Sequence, residues 1–142
     1  MRVVLDPNVI ISALLSPSGA PARLLRAWLS GRFEIIVSPR LLAELERTLA
    51  YPKLRVRIAP EEAHRIVELL AGAATSASDP TEPPPIRSPD SGDDYLVALA
   101  ASEQAALVSG DDHLLGLAGD LPVFSPARFL RLIGTDLDED EG

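Results

Sequence analysis

Short apolar runs alternate with helical segments along the chain, and this alternation restricts the fold more than any other feature. The runs VVL (3–5), FEIIVS (33–38), ALVSG (106–110) and PVFS (122–125) have the apolar, β-branched character of buried strands. A segment with apolar residues at helical spacing follows each run. This order predicts an α/β protein, a three-layer α/β/α sandwich with a mainly parallel central sheet.

Prolines and capping residues mark the predicted helices. Asp6 and Ser38 each precede a proline, which is the usual start of a helix. We predict helices over 7–15, 20–32, 39–51, 59–74, 93–105, 111–119 and 125–134. The stretch 75–92 contains five prolines among polar residues and is predicted to be a long loop.

Charge and composition restrict the class of protein. The chain has 142 residues, a net charge of −8 and no cysteine. We predict one domain over 1–134 and a disordered acidic tail over 135–142. The negative charge argues against binding nucleic acid by bulk attraction alone. The sequence has no signal-peptide pattern and no membrane-length apolar run, and the missing cysteines fit a reducing cytosol, so we expect a cytoplasmic protein.

Four acidic residues are predicted to meet at one edge of the sheet. Asp6 directly follows the first strand, and Asp111 follows the third predicted strand after a two-residue turn. Asp94 lies at the start of an almost entirely apolar helix, and Glu44 lies in the first turns of the helix after the second strand. The carboxyl ends of parallel strands share one edge, where α/β folds bind their ligands.

Clustered carboxylates destabilise a protein unless their charge is offset. Two unit charges about 4 Å apart repel by roughly 4 kcal/mol at an effective dielectric constant of about 20. Protons or a cation must reduce this repulsion. Oxygen ligands without cysteine favour Mg²⁺ or Mn²⁺, which activate water and stabilise charge on a phosphate. The cluster therefore predicts metal-dependent hydrolysis of phosphodiester bonds.

Each acid also has a purely structural interpretation. Asp6 and Asp111 can each cap the helix that follows, and Ser91–Asp94 matches a capping box. Glu44 and Glu46 lie at opposite edges of one apolar helical stripe, and periodicity does not choose between them. One acid alone is therefore weak evidence, and the argument depends on their joint placement.

Four segments in order resemble a known family. VVLDPNVIISALL, SPRLLAELERTL, DDYLVALA and LVSGDDHLL are similar to the motifs of the PIN-domain ribonucleases. Within that family the chain most resembles the VapC-like toxin components of toxin–antitoxin pairs. The resemblance runs from Arg2 to about Leu130, and it implies the PIN α/β/α sandwich.

The resemblance also implies site residues and an activity. The predicted catalytic and metal-binding acids are Asp6, Glu44, Asp94 and Asp111. This alignment selects Glu44 over Glu46 and Asp94 over Asp93, with Asn8 and Ser109 as supporting residues. The implied protein is a Mg²⁺- or Mn²⁺-dependent endoribonuclease that leaves 5′-phosphate and 3′-hydroxyl ends, forms a homodimer and is silenced by a cognate antitoxin.

Two positions depart from the family pattern. Pro7 stands where the family has Thr or Ser, so that a hydroxyl and a backbone N–H are missing. His113 stands where the family often has a further acid, at a place where it could contact a phosphate. Pro7 suits the start of a helix, so we expect it to preserve the fold and to put the activity in question.

Because the predicted site is acidic, RNA must be held elsewhere. The candidates are Lys53, Arg55 and Arg57, with Arg23 or Arg26 as further possibilities. One alternative function is a catalytically silent PIN domain that binds RNA or protein. Another is a phosphotransferase of the haloacid-dehalogenase type, which is disfavoured because Asn8 replaces the required second Asp and no lysine follows residue 53.

Overall fold

The chain folds into one parallel sheet between layers of helices. The computed structural model describes residues 1–84, 91–117 and 121–141, and for Ser91 and residues 135–141 it describes the backbone alone. The strands of the described part are β1 (Arg2–Leu5), β2 (Glu34–Val37), β3 (Thr75–Ser76), β4 (Ala106–Val108) and β5 (Val123–Phe124). Every pairing between them is parallel, in the order β3-β2-β1-β4-β5. The predicted α/β/α sandwich with a parallel sheet is confirmed.

The helices begin where the sequence places prolines and caps. They are α1 (Pro7–Leu15), α2 (Ala20–Leu29), α3 (Pro39–Leu49), α4 (Pro52–Arg55), α5 (Pro60–Ala73), α6 (Asp94–Ser102), α7 (Asp112–Leu115) and α8 (Pro126–Glu141), with a 3₁₀ turn over Ser91–Asp93. α6 packs against β1 and β4, while α1 packs against α2 and α3. No helix of the described residues is long and apolar enough to cross a membrane.

Several element boundaries differ from the prediction for local reasons. α2 ends at Leu29, ahead of Gly31, whose φ of 81° continues no helix. α6 ends at Ser102 because Gln104 adopts a φ of 52° before β4 begins. Within the predicted loop 75–92, two residues pair with β2 as β3. Residues 85–90 of that loop and 118–119 of the predicted seventh helix lie outside the described residues.

The last helix overlaps the predicted tail. α8 runs to Glu141, and the side chains from 135 onward lie outside the described residues. The predicted domain boundary at residue 134 and the disorder of the tail beyond it stay predictions. Before that point α8 contributes Phe129, which is fully buried and meets Phe33 edge-on with ring centroids 5.3 Å apart.

The strand order defines where a site can form. From β1 the chain moves outward through β2 to β3, and then returns to the other side of β1 for β4 and β5. The sheet therefore reverses its order between β1 and β4, and the helices leaving these two strands diverge. A crevice outside the carboxyl ends of two such strands is the usual ligand site in an open α/β sheet.

Candidate functional site

Asp6 lies at the point where the strand order reverses. Its backbone N–H donates to the carbonyl of Val108 at 2.9 Å, which extends the pairing of β1 with β4 by one residue. The residue is only 4% exposed, and its Oδ1 accepts a hydrogen bond from the N–H of Asn8 at 3.0 Å. Asp6 is thus the N-cap of α1 as well as the acid at the crevice. The structural and functional interpretations of this residue are compatible.

Asn8 supports Asp6 through its backbone. The sequence predicts Asn8 as a supporting residue, and its hydrogen bond to Asp6 comes from the main-chain N–H. The Asn8 side chain is exposed, and it lines a small cleft together with Ser12 and Asp111. The proline at position 7 has no N–H, and Asn8 is therefore the first residue of the helix that can donate to Asp6.

Ser109 joins the ends of β1 and β4. It is fully buried, and its Oγ donates to Oδ2 of Asp6 at 2.8 Å. The same Oγ accepts a hydrogen bond from the N–H of Asp111 at 3.0 Å, while the Ser109 N–H donates to the carbonyl of Phe124. One hydroxyl therefore orients the first predicted acid and fixes the backbone of the second.

Asp111 begins the short helix α7. Its Oδ1 accepts a hydrogen bond from the N–H of His113 at 2.8 Å, which makes it the N-cap. The Nδ1 atom of His113 lies 3.6 Å from the same oxygen, on an exposed side chain. Oδ1 of Asp111 thus accepts a hydrogen bond from the first turn of α7. His113, the second position that departs from the family pattern, lies next to this predicted site residue.

Burial of Asp6 makes its negative charge costly. Desolvation raises the pKa of Asp6 above its ordinary value, the hydrogen bonds from Asn8 and Ser109 lower it, and the charge of Asp111 raises it again. Desolvation is the largest of these effects. The donors that contact Asp6 are neutral, and in the described part of the chain no Lys or Arg forms an ion pair with it. The crevice is therefore a place where a cation would be stabilised.

Glu44 lies on α3. It is half-buried, and its charge acts on Tyr95 of α6, as does the charge of Asp6. Glu46 instead lines a separate groove between α3 and α5. Oε2 of Glu44 also forms an ion pair of 2.5 Å with Arg47, one turn further along the helix. To take part in a metal site, the Glu44 carboxylate would have to bind a second partner while still paired with Arg47, or release Arg47.

Asp94 and Tyr95 are the first two residues of α6, the helix that packs against β1 and β4. Asp94 is the first residue of the helix and is half-buried, and the N-cap position falls on Asp93, not on the predicted Ser91. Burial raises the pKa of the Tyr95 hydroxyl, and the charges of Asp6, Glu44 and Asp93 add to this shift. Tyr95 therefore stays neutral, with its hydroxyl in the field of the acids.

The oxygen donors at the crevice fit a divalent cation only in part. Among the residues that the structure describes, no group of three or more His, Cys, Asp or Glu side chains is close enough to hold a metal ion. Ser109 links the carboxylate of Asp6 to the backbone of Asp111, and the charge of the Asp111 carboxylate acts on Asp6. Mg²⁺ is commonly held by one or two carboxylates, several waters and a substrate phosphate. An all-oxygen pair of acids beside a buried, negatively charged crevice fits such an ion.

The predicted RNA contacts lie away from this crevice. Lys53 and Arg55 are on α4 and Arg57 follows it, all of them exposed. α3 leaves the carboxyl edge of the sheet at Ser38 and spans about 16 Å before α4 begins. The structure therefore places these three residues beyond the far end of α3 from the carboxyl edge of the sheet, and their contact with RNA stays a prediction.

Sequence reasoning missed three residues beside the acids, namely Arg40, Arg47 and Tyr95. Arg40, Glu44 and Arg47 follow one another at i, i+4 and i+7, which places them on one face of α3. That spacing was visible in the sequence. Tyr95 was the one aromatic residue in an otherwise aliphatic helix, and it directly follows a predicted site acid.

The chain is similar to known proteins in sequence and in fold. The chain is 31% identical over 119 residues to the uncharacterized protein MJ1680 of Methanocaldococcus jannaschii, covering 82% of this chain and 75% of that one. In fold it resembles PAE2754 from Pyrobaculum aerophilum, with a TM-score of 0.63 at 16% identity over 95% of this chain and 90% of the other.

Two further solved structures share the fold. VapBC2 from Rickettsia felis, bound to a DNA fragment from its promoter, matches with a TM-score of 0.57 at 15% identity, covering 88% of this chain and 97% of that one. FitAcB from Neisseria gonorrhoeae matches with a TM-score of 0.53 at 21% identity, covering 87% and 97%. The family model of the PIN domain matches residues 2–113, which span all the acids discussed above, and the chain therefore belongs to the PIN domain family.

Proposed function

We propose that this protein is a metal-dependent endoribonuclease that hydrolyses RNA phosphodiester bonds. The observation that supports this most strongly is the hydrogen-bonded chain Asp6–Ser109–Asp111 at the switch point of a PIN-family sheet. A capping role alone would not require Asp6 to be buried next to a second acid. The uncompensated charge is best explained by a reaction that uses a cation.

The contacts of each residue define its proposed role in the reaction. Asp6 and Asp111 would hold Mg²⁺ or Mn²⁺, with Glu44 and Asp94 orienting waters around it. When bound, the cation lowers the pKa of water and offsets the charge that develops on the phosphate. Ser109 and the Asn8 N–H keep the Asp6 carboxylate in one orientation, so that little reorganisation is needed when substrate arrives.

The proposed partner besides RNA is an antitoxin protein. The resemblance to VapC-like toxins and the likeness in fold to VapBC2 and FitAcB support this partner. A homodimer and a cytoplasmic location belong to the same proposal. An antitoxin would silence the nuclease by covering the crevice or by occupying the acids themselves.

The test is cleavage of single-stranded RNA with Mn²⁺ or Mg²⁺. We expect Asp6→Asn to reduce the rate by about a hundred-fold or more, and EDTA to abolish it. Asp112→Asn is the matched control, because Asp112 is an exposed acid one residue from the site and should leave the rate unchanged. Equal rates for Asp6→Asn and the wild type would contradict the proposal.

A silent binding module is the second candidate, and two observations favour it. Pro7 is buried at the first position of α1, where the family's hydroxyl is missing, and Arg47 occupies the carboxylate of Glu44. If the wild type binds RNA without cutting it, Pro7→Thr should restore cleavage. Cleavage by the wild type would reject this candidate.

A further inference from the structure

A second cleft opens on the α6 side of the acids. It lies between the start of α3, the segment 79–84 and the start of α6, and its lining includes Arg40, Asp79, Asp94 and Tyr95. Asp94 belongs both to this cleft and to the predicted acids. An RNA strand that leaves the crevice on this side would therefore enter the cleft at once.

Arg40 is the cationic residue of this cleft. The Cζ atom of its guanidinium lies 4.6 Å from the centre of the Tyr95 ring, at the distance of a cation–π contact. Its backbone N–H donates to Oδ2 of Asp79 at 3.0 Å, which fixes the first turn of α3. In the described part of the chain the guanidinium nitrogens themselves take part in no hydrogen bond or ion pair.

The contact with Tyr95 orients the Arg40 guanidinium for binding an anion. A guanidinium that stacks on an aromatic ring keeps its N–H donors at the edge, where they match the oxygens of a phosphate. Three carboxylates, those of Asp79, Glu82 and Asp94, line the same cleft. A phosphate can therefore be accepted only where Arg40 offsets their charge.

The position of Arg40 relative to the acids indicates which phosphate of an RNA strand it would bind. The Tyr95 hydroxyl experiences the charges of Asp6 and Glu44, while its ring meets Arg40. Arg40 lies in the first turn of α3, which follows β2, and β2 pairs with β1, the strand directly before Asp6. A guanidinium beside the neighbouring strand suits the next linkage along an RNA strand.

We propose that Arg40, positioned by Tyr95, binds the backbone phosphate next to the scissile one, so that the cleft is a subsite for single-stranded RNA. This inference rests on the proposed function. Arg40 is then the nearest source of backbone affinity, while the predicted basic residues of α4 act on more distant nucleotides if they contact RNA at all. Tyr95 is a positioning residue that acts through Arg40.

The experiment is equilibrium binding of a fluorescently labelled single-stranded RNA to the full chain in EDTA, followed by anisotropy over a range of salt. Arg40→Ala should weaken binding about ten-fold or more. It should also lower the slope of log K against log salt by about 0.7, which corresponds to one lost phosphate contact on a single strand. Arg40→Lys should keep the slope and recover part of the affinity.

Two further variants separate the subsite from general effects. Arg65→Ala removes an exposed arginine of α5 and should change neither affinity nor slope. Tyr95→Leu removes the ring and should weaken binding less than Arg40→Ala while leaving the salt slope in place. Thermal unfolding of each variant shows that the fold is retained.

The outcomes distinguish the subsite from the nuclease proposal. If Arg40→Ala binds RNA like the wild type, the subsite is rejected even where the wild type cleaves RNA. If the wild type binds but does not cleave, and Arg40→Ala weakens that binding, the subsite stands and the nuclease proposal fails. If the wild type does not bind single-stranded RNA in EDTA at all, the subsite is rejected, and the cleavage assay with Mn²⁺ or Mg²⁺ decides the nuclease proposal separately.

Discussion

The two ends of strand β1 differ in how the acidic side chains beside them are paired. At the amino end, Arg2 donates to the backbone carbonyl of Glu103 at 2.7 Å and lies 3.0 and 3.4 Å from the carboxylates of Glu103 and Glu34. At the carboxyl end, Asp6 lies beside a second acid, Asp111, and accepts hydrogen bonds from neutral donors. Acids are neutralised at one end and accumulate at the other.

The difference shows at which end of β1 the charges lower the stability of the fold. Ion pairs at the amino end bring three surface side chains together at little cost, and a stable sheet can be built with them or without them. A buried acid next to another acid lowers stability, and such a cost persists where function depends on it. This contrast supports the proposed functional role of the Asp6 end, whereas the Arg2 end holds surface ion pairs.

The largest expected effect on stability comes from the hydroxyl that joins the acids. Ser109→Ala leaves the buried Oδ2 of Asp6 and the N–H of Asp111 without their partner, which should cost about 1–3 kcal/mol in the free energy of unfolding. Urea denaturation measures this, with the exposed Ser18→Ala as control. An unchanged midpoint would mean that the Asp6 end is not under the electrostatic strain described here.

Removing the acid itself should have the opposite sign. Asp6→Asn keeps an N-cap side chain and removes the buried charge, so it should stabilise the metal-free protein at pH 7 by roughly 1 kcal/mol. Since the pKa of Asp6 is raised above 3.8, the folded protein holds this proton more tightly than the unfolded chain. Wild-type stability should therefore fall as pH rises from 3.8 through the raised pKa, and Asp6→Asn should lack that loss.

This pH profile is recorded by thermal unfolding in EDTA between pH 3 and pH 8. The difference between the two proteins should grow as pH rises through the titration of Asp6 and then level off. A wild type that is more stable than Asp6→Asn at pH 7 would show that the hydrogen bonds to Asp6 outweigh its desolvation.

The smallest effect is expected at the other end of the strand. Arg2→Gln removes ion pairs of which the Arg2 and Glu34 side chains are 40% and 46% exposed, so the loss should be about 0.5 kcal/mol. The loss should shrink at high salt, and RNA cleavage should be unchanged. A loss of cleavage in Arg2→Gln would remove the distinction between the two ends.

The fold was predictable because its signals are local. Apolar runs such as Val3–Leu5 and Ile35–Val37 identify central strands without tertiary information. β3 was not predicted, since Thr75 and Ser76 are two polar residues whose pairing depends on the neighbouring β2. α4 was also missed, because Tyr51 and Pro52 read as the end of α3 rather than as the start of a new helix.

The candidate site was predictable to the extent that topology determines it. The crevice between β1 and β4 follows from strand order, and the structure brings Asp6, Ser109 and Asp111 together there. The contact of Arg40 with Tyr95 joins residues far apart in sequence on helices of different layers, and no local pattern encodes it. The ion pair of Glu44 with Arg47 could be predicted from their spacing of three residues. Whether the Glu44 carboxylate stays with Arg47 depends on the other groups near it, which the spacing does not show.

The most direct test of the central claim is the melting temperature of the wild type and of Asp6→Asn with and without Mn²⁺. An ion that binds the folded state at the acids must stabilise it by mass action. The account predicts that millimolar Mn²⁺ raises the melting temperature of the wild type and of Asp112→Asn by several degrees, and leaves Asp6→Asn unchanged. No increase in the wild type, or an equal increase in Asp6→Asn, would contradict a cation site at the carboxyl end of β1.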